Sequence, residues 1–368
     1  MSKKRVLVTG PTGFIGINLV KTLVEKGHHV TALVRVTSET SALEKLGVKV
    51  VKADLNDSKS LTSAVADQQV IYHLAAAARA VHLSTFEKVN LDGFRNLMLS
   101  AIAAGNDPKL VFVSSLAAVG PSSRTRPHRE DATPNPVSNY GKSKRAAELL
   151  AAQYSDRLNI SIVRPPIVLG PHDVKGLEIF KTISQLGMHL SPGLTKSTYS
   201  VIHVADLCAA MIAVAARGRR VTPKNLEQGA YFAAADEIMT YSELGRIIGE
   251  ALGKPHAVNL PIFSPILKLI GGANTLIGNL SGSPRFLNYD KVRDVTAGSW
   301  SCENKKLKQE TGFELPTTFA NRIAQTVKWY RNEGWLEGDK TKGSQTSPAG
   351  SAAPTGRHSS NGPTMNVN

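Results

Sequence analysis

Arg5-Val-Leu-Val-Thr9-Gly10-Pro11-Thr12-Gly13-Phe14-Ile15-Gly16 is the stretch on which the fold turns. Val6, Leu7 and Val8 form a short apolar run of the kind that is buried as a strand. The glycines follow at once in a G-x-x-G-x-x-G spacing. Beyond them Ile15, Leu19, Leu23 and Val24 recur at helical intervals as far as Lys26, and Gly27 ends the helix. In a strand–turn–helix unit Gly10 permits the tight turn. Gly13 lets the backbone approach a pyrophosphate, and Gly16 lets the helix pack close to the strand. The helix start, from Thr12 through Phe14 and Ile15, presents unpaired N–H groups and the positive end of the helix dipole to phosphates.

The alternation continues outward. Apolar runs at His29–Val34, Val48–Ala53, Val70–Leu74, Leu110–Ser114 and Ile160–Arg164 are separated by helical stretches at Glu39–Leu46, Ser58–Ala66, Phe86–Ala104 and Ser138–Tyr154. Continuous apolar strands between helices predict a parallel sheet covered on both faces, a doubly wound α/β fold. Residues 1–172 are expected to form this unit, with segments near 199–216 and 229–236 returning to it. Residues 173–336 are read as a smaller, mainly helical substrate lobe. The stretch 337–368, rich in Gly, Ser, Thr, Pro and Asn, is expected to be a disordered tail.

The 368 residues carry 44 basic and 29 acidic side chains, a net charge of +15, with 42% hydrophobic residues. The basic residues are scattered and not interleaved with aromatic ones, which argues against nucleic acid as a partner. Two cysteines, Cys208 and Cys302, build neither a disulfide framework nor a cysteine-rich zinc site and fit a reducing, cytoplasmic setting. His28-His29 lacks further metal-ligand spacing, so no metal is expected. No run of 18 apolar residues occurs. The nearest, Leu260–Leu280, is interrupted by Pro261, Pro265, Lys268 and Gly271-Gly272. It reads either as a peripheral membrane contact or as a lid over the substrate.

The end of the second strand, Leu33-Val34-Arg35, carries no acidic residue that would bind the ribose hydroxyls of NAD. Arg35 instead suits the 2′-phosphate of NADP, so NADP(H) is favoured over NAD(H), although a solvated arginine remains an alternative. Asp54, after the third strand, is placed either to accept from an adenine amino group or to cap the next helix. Tyr140-Gly-Lys-Ser-Lys144 sets a phenol and an ammonium one helical turn apart, and Ser115 stands at the end of a preceding strand. Such a set does acid–base work on a carbinol. Ser115 binds the substrate oxygen, Tyr140 exchanges the proton, and Lys144 is expected to lower the tyrosine pKa.

Over roughly Lys4 to Trp335 the chain resembles the extended short-chain dehydrogenases/reductases, in the NAD-dependent epimerase/dehydratase group. The residues that carry this are the glycine stretch, Asp54-Leu55, His73-Leu-Ala-Ala76, Val113-Ser-Ser-Leu-Ala-Ala-Val-Gly120, Tyr140-x-x-x-Lys144, Arg164-Pro-Pro-Ile-Val-Leu-Gly-Pro171 and His203-Val-Ala-Asp206. The resemblance implies a Rossmann domain holding NAD(P), with Ser115, Tyr140 and Lys144 as the catalytic triad and Asn90 near the active site. It extends the cofactor contacts to Leu55, Leu74, Ala75, Ala76, Pro165, Ile167 and Val168. Leu116-Ala117 stands where dehydratases carry an acidic pair. Pro165-Pro166-Ile167 stands where sugar-nucleotide epimerases usually carry an asparagine. The pattern is therefore more similar to the 3β-hydroxysteroid dehydrogenase and dihydroflavonol reductase branch. The expected activity is hydride transfer at a secondary alcohol or ketone of a small molecule. Its rivals are a sugar epimerase with a tightly held, recycled NAD and a non-catalytic NAD(P) sensor. A homodimer through the helices bearing Asn90 and Tyr140 is implied by the resemblance only.

Overall fold

The computed structural model describes residues 3–78, 80, 82–193, 197–281 and 287–337, so the stretch expected to be disordered lies outside the described residues apart from Glu337. The six apolar runs form strands β1 (Arg5–Thr9), β2 (His29–Val34), β3 (Lys49–Lys52), β4 (Val70–His73), β5 (Lys109–Val113) and β6 (Ile160–Arg164). A seventh strand, Ala230–Phe232, joins them in one sheet. Its order is Ala230–Phe232, β6, β5, β4, β1, β2, β3, with every neighbouring pair parallel. Both faces are covered. Val6, Val8, Val30 and Val111 pack with Leu19 and Leu23 on one side, and Leu7, Ile71, Leu110 and Ile162 pack with Leu61, Phe94 and Leu97 on the other. Each fully buried aliphatic side chain contributes about 1.5–3 kcal/mol relative to exposure.

Strand order reverses between β1 and β4, which opens a crevice at the carboxyl ends of the strands. Helix α1 (Phe14–Glu25) starts at that edge, as does α2 (Asn139–Tyr154). The helix expected over Phe86–Ala104 is instead interrupted. A π-helical turn, Glu87–Asp92, separates Leu83–Phe86 from Gly93–Ala103, and the extra residue turns Asn90 inward. The Glu39–Leu46 helix shrinks to Ser41–Glu44, where Thr40 donates to Glu44 and the Glu39 carboxylate accepts from Ser41.

After β6 the structure holds more strand than the helical pattern suggests. Ile167–Leu169, Thr198–His203 and Ile238–Thr240 form a small sheet, and Val258–Ile262 pairs with Met188–Pro192. Pro261 is tolerated there because the two-stranded sheet consists of edges only. The interrupted apolar stretch becomes helix α3 (Ser264–Ser281), with Pro265 in its first turn, where a missing N–H costs nothing. Helix α4 (Tyr289–Thr296) follows and packs against it.

Candidate active site

The glycine turn is shaped by close approach. Gly10 has φ +68°, and a Cβ there would lie 2.9 Å from the Ala75 nitrogen on β4's extension. A Cβ on Gly16 would lie 2.1 Å from the Gly10 carbonyl oxygen, so α1 begins tight against the turn. Gly13 differs. Its Cβ would meet nothing nearer than the Gly10 oxygen at 3.4 Å, so packing within the chain leaves its crevice side open. Gly13 begins α1 without a side-chain cap, and no acidic residue occupies the first turn, where Phe14 and Ile15 lie. These uncapped N–H groups and the glycine cradle fit a dinucleotide pyrophosphate.

Thr9 and His73 brace the crevice. The Thr9 hydroxyl is 2.8 Å from His73 Nδ1 and accepts from the Ala75 N–H at 3.2 Å, which fixes Leu74-Ala75-Ala76 beside Gly10. Burial pushes the His73 pKa down to about 3, so the ring stays neutral. Arg35 is exposed just past β2, and Asp54 is exposed just past β3. Asp54 Oδ1 accepts from the Asn56 N–H and Nδ2. These bonds, aided by Lys88 and Arg35, hold its carboxyl below the usual value. The helix cap that Asp54 was offered is supplied by Asp57, which accepts from the Lys59 N–H at 3.1 Å. Leu55 packs against Gly93, and its carbonyl accepts from Asn96.

Ser115 ends the β5 edge and caps a 3-10 turn, Leu116–Ala118, its Oγ accepting from the Ala117 N–H at 3.1 Å. Helix α2 sits tightly on that turn. A Cβ at Gly141 would lie 2.4 Å from the Ala117 oxygen. Tyr140, one residue earlier, is thereby brought beside Ser115. The neighbouring Ser114 is buried and faces away from solvent. Burial pushes the Tyr140 phenol up to about 12. The Ser115 bond pulls the other way, and the nearby Asp294 charge adds to the rise.

Lys144 departs from expectation. Its ammonium donates to the Val113 carbonyl at 2.7 Å and lies 4.3 Å from the Phe112 ring centroid. The phenol is raised where Lys144 was expected to lower it, because burial is the largest influence on it. Burial brings Lys144 itself down to about 7, against the opposing pull of Glu148.

Asn90 is consumed in positioning. Its Oδ1 accepts from the Ala77 N–H at 2.7 Å, and its Nδ2 donates to the Ala77 carbonyl and to Ser143 Oγ. It thus clamps the segment after β4 to α2. Pro165 is buried, its carbonyl accepting from the Leu116 N–H. Ile167 packs in the same apolar cluster as Tyr140, and Val168 packs on the core beneath α1. Arg164 is buried in a paired contact with Glu148 at 2.8 and 2.9 Å, binding β6 to α2. His203 caps the following helix and meets Thr326, an anchoring role.

Two residues escaped the sequence reading. From α4, Asp290 accepts from the Asn139 N–H at 2.7 Å and the Tyr140 N–H at 3.3 Å, while Ser138 accepts from Gly141. One turn later, Asp294 is buried, and burial raises its carboxyl. An Asp-x-x-x-Asp spacing was the only local signal. Elsewhere, a cleft of about 670 Å³ lined by Glu130, Arg219, Lys306 and Glu310 contains none of the site residues.

The model of the NAD dependent epimerase/dehydratase family matches residues 6–227. The ceramide reductase of Caulobacter vibrioides is 30% identical over 337 residues, spanning 90% of this chain and 96% of that protein. The sterol demethylase protein B of Methylococcus capsulatus is 27% identical over 341 residues, spanning 90% and 99%. The dTDP-glucose 4,6-dehydratase of Streptomyces venezuelae, solved with NAD bound, shares the fold with a TM-score of 0.71 at 24% identity, covering 90% of this chain and 99% of that one. The matched span contains the glycine turn, Ser115, Tyr140 and Lys144, and the chain belongs to the NAD-dependent epimerase/dehydratase family.

Proposed function

We propose that the protein is an NAD(P)-dependent oxidoreductase that interconverts a secondary alcohol and a ketone on a partly apolar small molecule, working in the direction of reduction. The observation that carries this is the Tyr140 phenol, set beside Ser115 and pushed up to about 12 by burial, so that it stays protonated at neutral pH. A protonated phenol at neutral pH is a proton donor to a carbonyl oxygen, and the Ser115 hydroxyl orients that oxygen. Gly10, Thr12, Gly13, Phe14, Ile15 and Gly16 would hold the dinucleotide. A nicotinamide bound there supplies the hydride. Arg35, exposed and free of an acidic residue at the β2 tip, favours NADP(H). Residues 173–336 would enclose the substrate. The name of the ceramide reductase relative supports both the reductive direction and an apolar substrate.

The test begins with the nucleotide released on denaturation, identified by mass spectrometry. The expected result is little bound NAD, tighter binding of added NADPH than NADH, and ketone-dependent NADPH oxidation. Tyr140→Phe should lower that rate by about 10²–10⁴. Near-stoichiometric retained NAD, with isomer exchange and no net redox change, would establish the epimerase reading instead. Full turnover by Tyr140→Phe would overturn both.

A further inference from the structure

A helix on the surface of a globular fold ordinarily turns its large apolar side chains inward. Helix α3 does the opposite. Ile266, Leu269, Ile270, Leu276, Ile277 and Leu280 are all exposed, Leu269 by 75% and Leu280 by 81%. Their spacing gathers them into an arc of about 120° on one side of the helix. The side facing the protein buries one leucine, Leu267, and is otherwise built from small and polar residues. Gly271 is buried so closely that a Cβ would lie 2.5 Å from Val292 Cγ2, and Gly278 is buried as well. Asn274 Nδ2 donates to the Leu287 carbonyl at 3.0 Å, and Thr275 Oγ1 accepts from the Tyr289 N–H at 2.8 Å. The helix thus spends these polar groups on α4 and the residues leading into it and leaves its apolar stripe outside. The adjoining two-stranded sheet extends that stripe with exposed Val258, Leu260 and Leu190, and Phe263 joins the two.

Charge selects the partner. From Ala251 to Tyr289 the sequence contains no Asp or Glu, while Lys254 and Lys268 lie within it, in a chain of net charge +15. A second copy would bring the same acid-free, basic stretch, with like charge facing like. An anionic lipid surface supplies both what the stripe needs and what the lysines need. No described helix is long and apolar enough to cross a membrane, so the geometry is that of a helix in the interface plane.

We propose that α3 docks the protein on an anionic bilayer, its apolar arc immersed at the boundary between headgroups and acyl chains. Helix α4 links this surface to the chemistry, because it packs on α3 and holds the N-terminus of the Tyr140 helix through Asp290. Resting on the oxidoreductase reading, the substrate is then an amphipathic lipid alcohol or ketone taken from the bilayer.

The test is co-sedimentation of the full-length protein with phosphatidylcholine vesicles, with and without phosphatidylglycerol. Binding to the anionic vesicles is expected, weakened about tenfold or more in the Leu269→Asn/Leu276→Asn/Leu280→Asn variant. A Leu269→Trp variant should shift its emission to the blue on the same vesicles. Reduction of a water-soluble ketone should survive the triple substitution, while reduction of a vesicle-borne lipid ketone should fall. Failure to bind either vesicle, equal binding to both, or binding untouched by the triple variant would overturn docking. So would a concentration-dependent dimer that the triple variant abolishes, since the stripe would then belong to a second copy. Docking is measured without cofactor or substrate, so Tyr140→Phe with undiminished turnover would sink the oxidoreductase reading and leave docking standing.

Discussion

Lys144 and Tyr140 are both displaced by burial, in opposite directions. The Lys144 ammonium titrates near 7 in the folded chain against an ordinary 10.5. Between those values the unfolded chain holds a proton that the folded chain has shed, so this group makes stability rise with pH across that window. Below about 7 both states are protonated, and the burial penalty is felt in full. The difference in urea midpoint between the native protein and Lys144→Met should therefore shift in favour of the native protein from pH 7 to pH 9. A pH-independent difference would place the lysine in a solvated setting. That Tyr140 and Lys144 share a helix one turn apart, with Ser115 at the end of a preceding strand, was legible in the sequence. The bond of the ammonium to the Val113 carbonyl depends on how the helix packs on the sheet and leaves no trace in spacing.

Among the contacts that secure helix α2 to other elements, two bear directly on stability. At its start Asp290 supplies acceptors for the Asn139 and Tyr140 N–H groups. Asp290→Ala should cost about 1 kcal/mol and lower the melting temperature by about 2–4 °C, with a fall in turnover because the phenol sits in that first turn. Further along, Glu148 meets Arg164 with neither side chain exposed. Burial alone would raise the Glu148 carboxyl, but the Arg164 guanidinium outweighs it and holds the group below the usual carboxylate value. Arg164→Met strands a buried carboxylate and should destabilise the fold by about 3–5 kcal/mol in a denaturant titration. The native pair's contribution is present at neutral pH and is lost as acid protonates Glu148 below the ordinary carboxylate range. The strands of the main sheet were legible because buried parallel strands are continuous apolar runs. The π turn at Asn90 and the cap from Asp290 were not, since each is created by a partner distant in sequence. The interrupted apolar stretch Leu260–Leu280 was legible in the sequence, but not that it forms a helix with its large side chains outside, which depends on Gly271 and Gly278 packing inward.

Across the whole molecule the sheet is finished late. Ala230–Phe232 pairs with Ile162–Arg164 of β6, and the Val221 N–H donates to the Ile160 carbonyl. A fragment ending at residue 172 would leave β6 as a bare, apolar edge. Such a fragment should aggregate on expression, which size-exclusion chromatography would show at once; a soluble monomer would mean that the seventh strand is dispensable. The chain is laced, leaving the first sheet and coming back to it after the small sheet has begun. This has a bearing on recombination between relatives. A chimera with a single crossover near residue 172 would marry one protein's sheet to another's closing strand. An exchange that respects the fold needs more than one crossover, keeping the closing strand and its lead-in with the parent of the first half. Substrate preference in such a chain would be inherited in pieces.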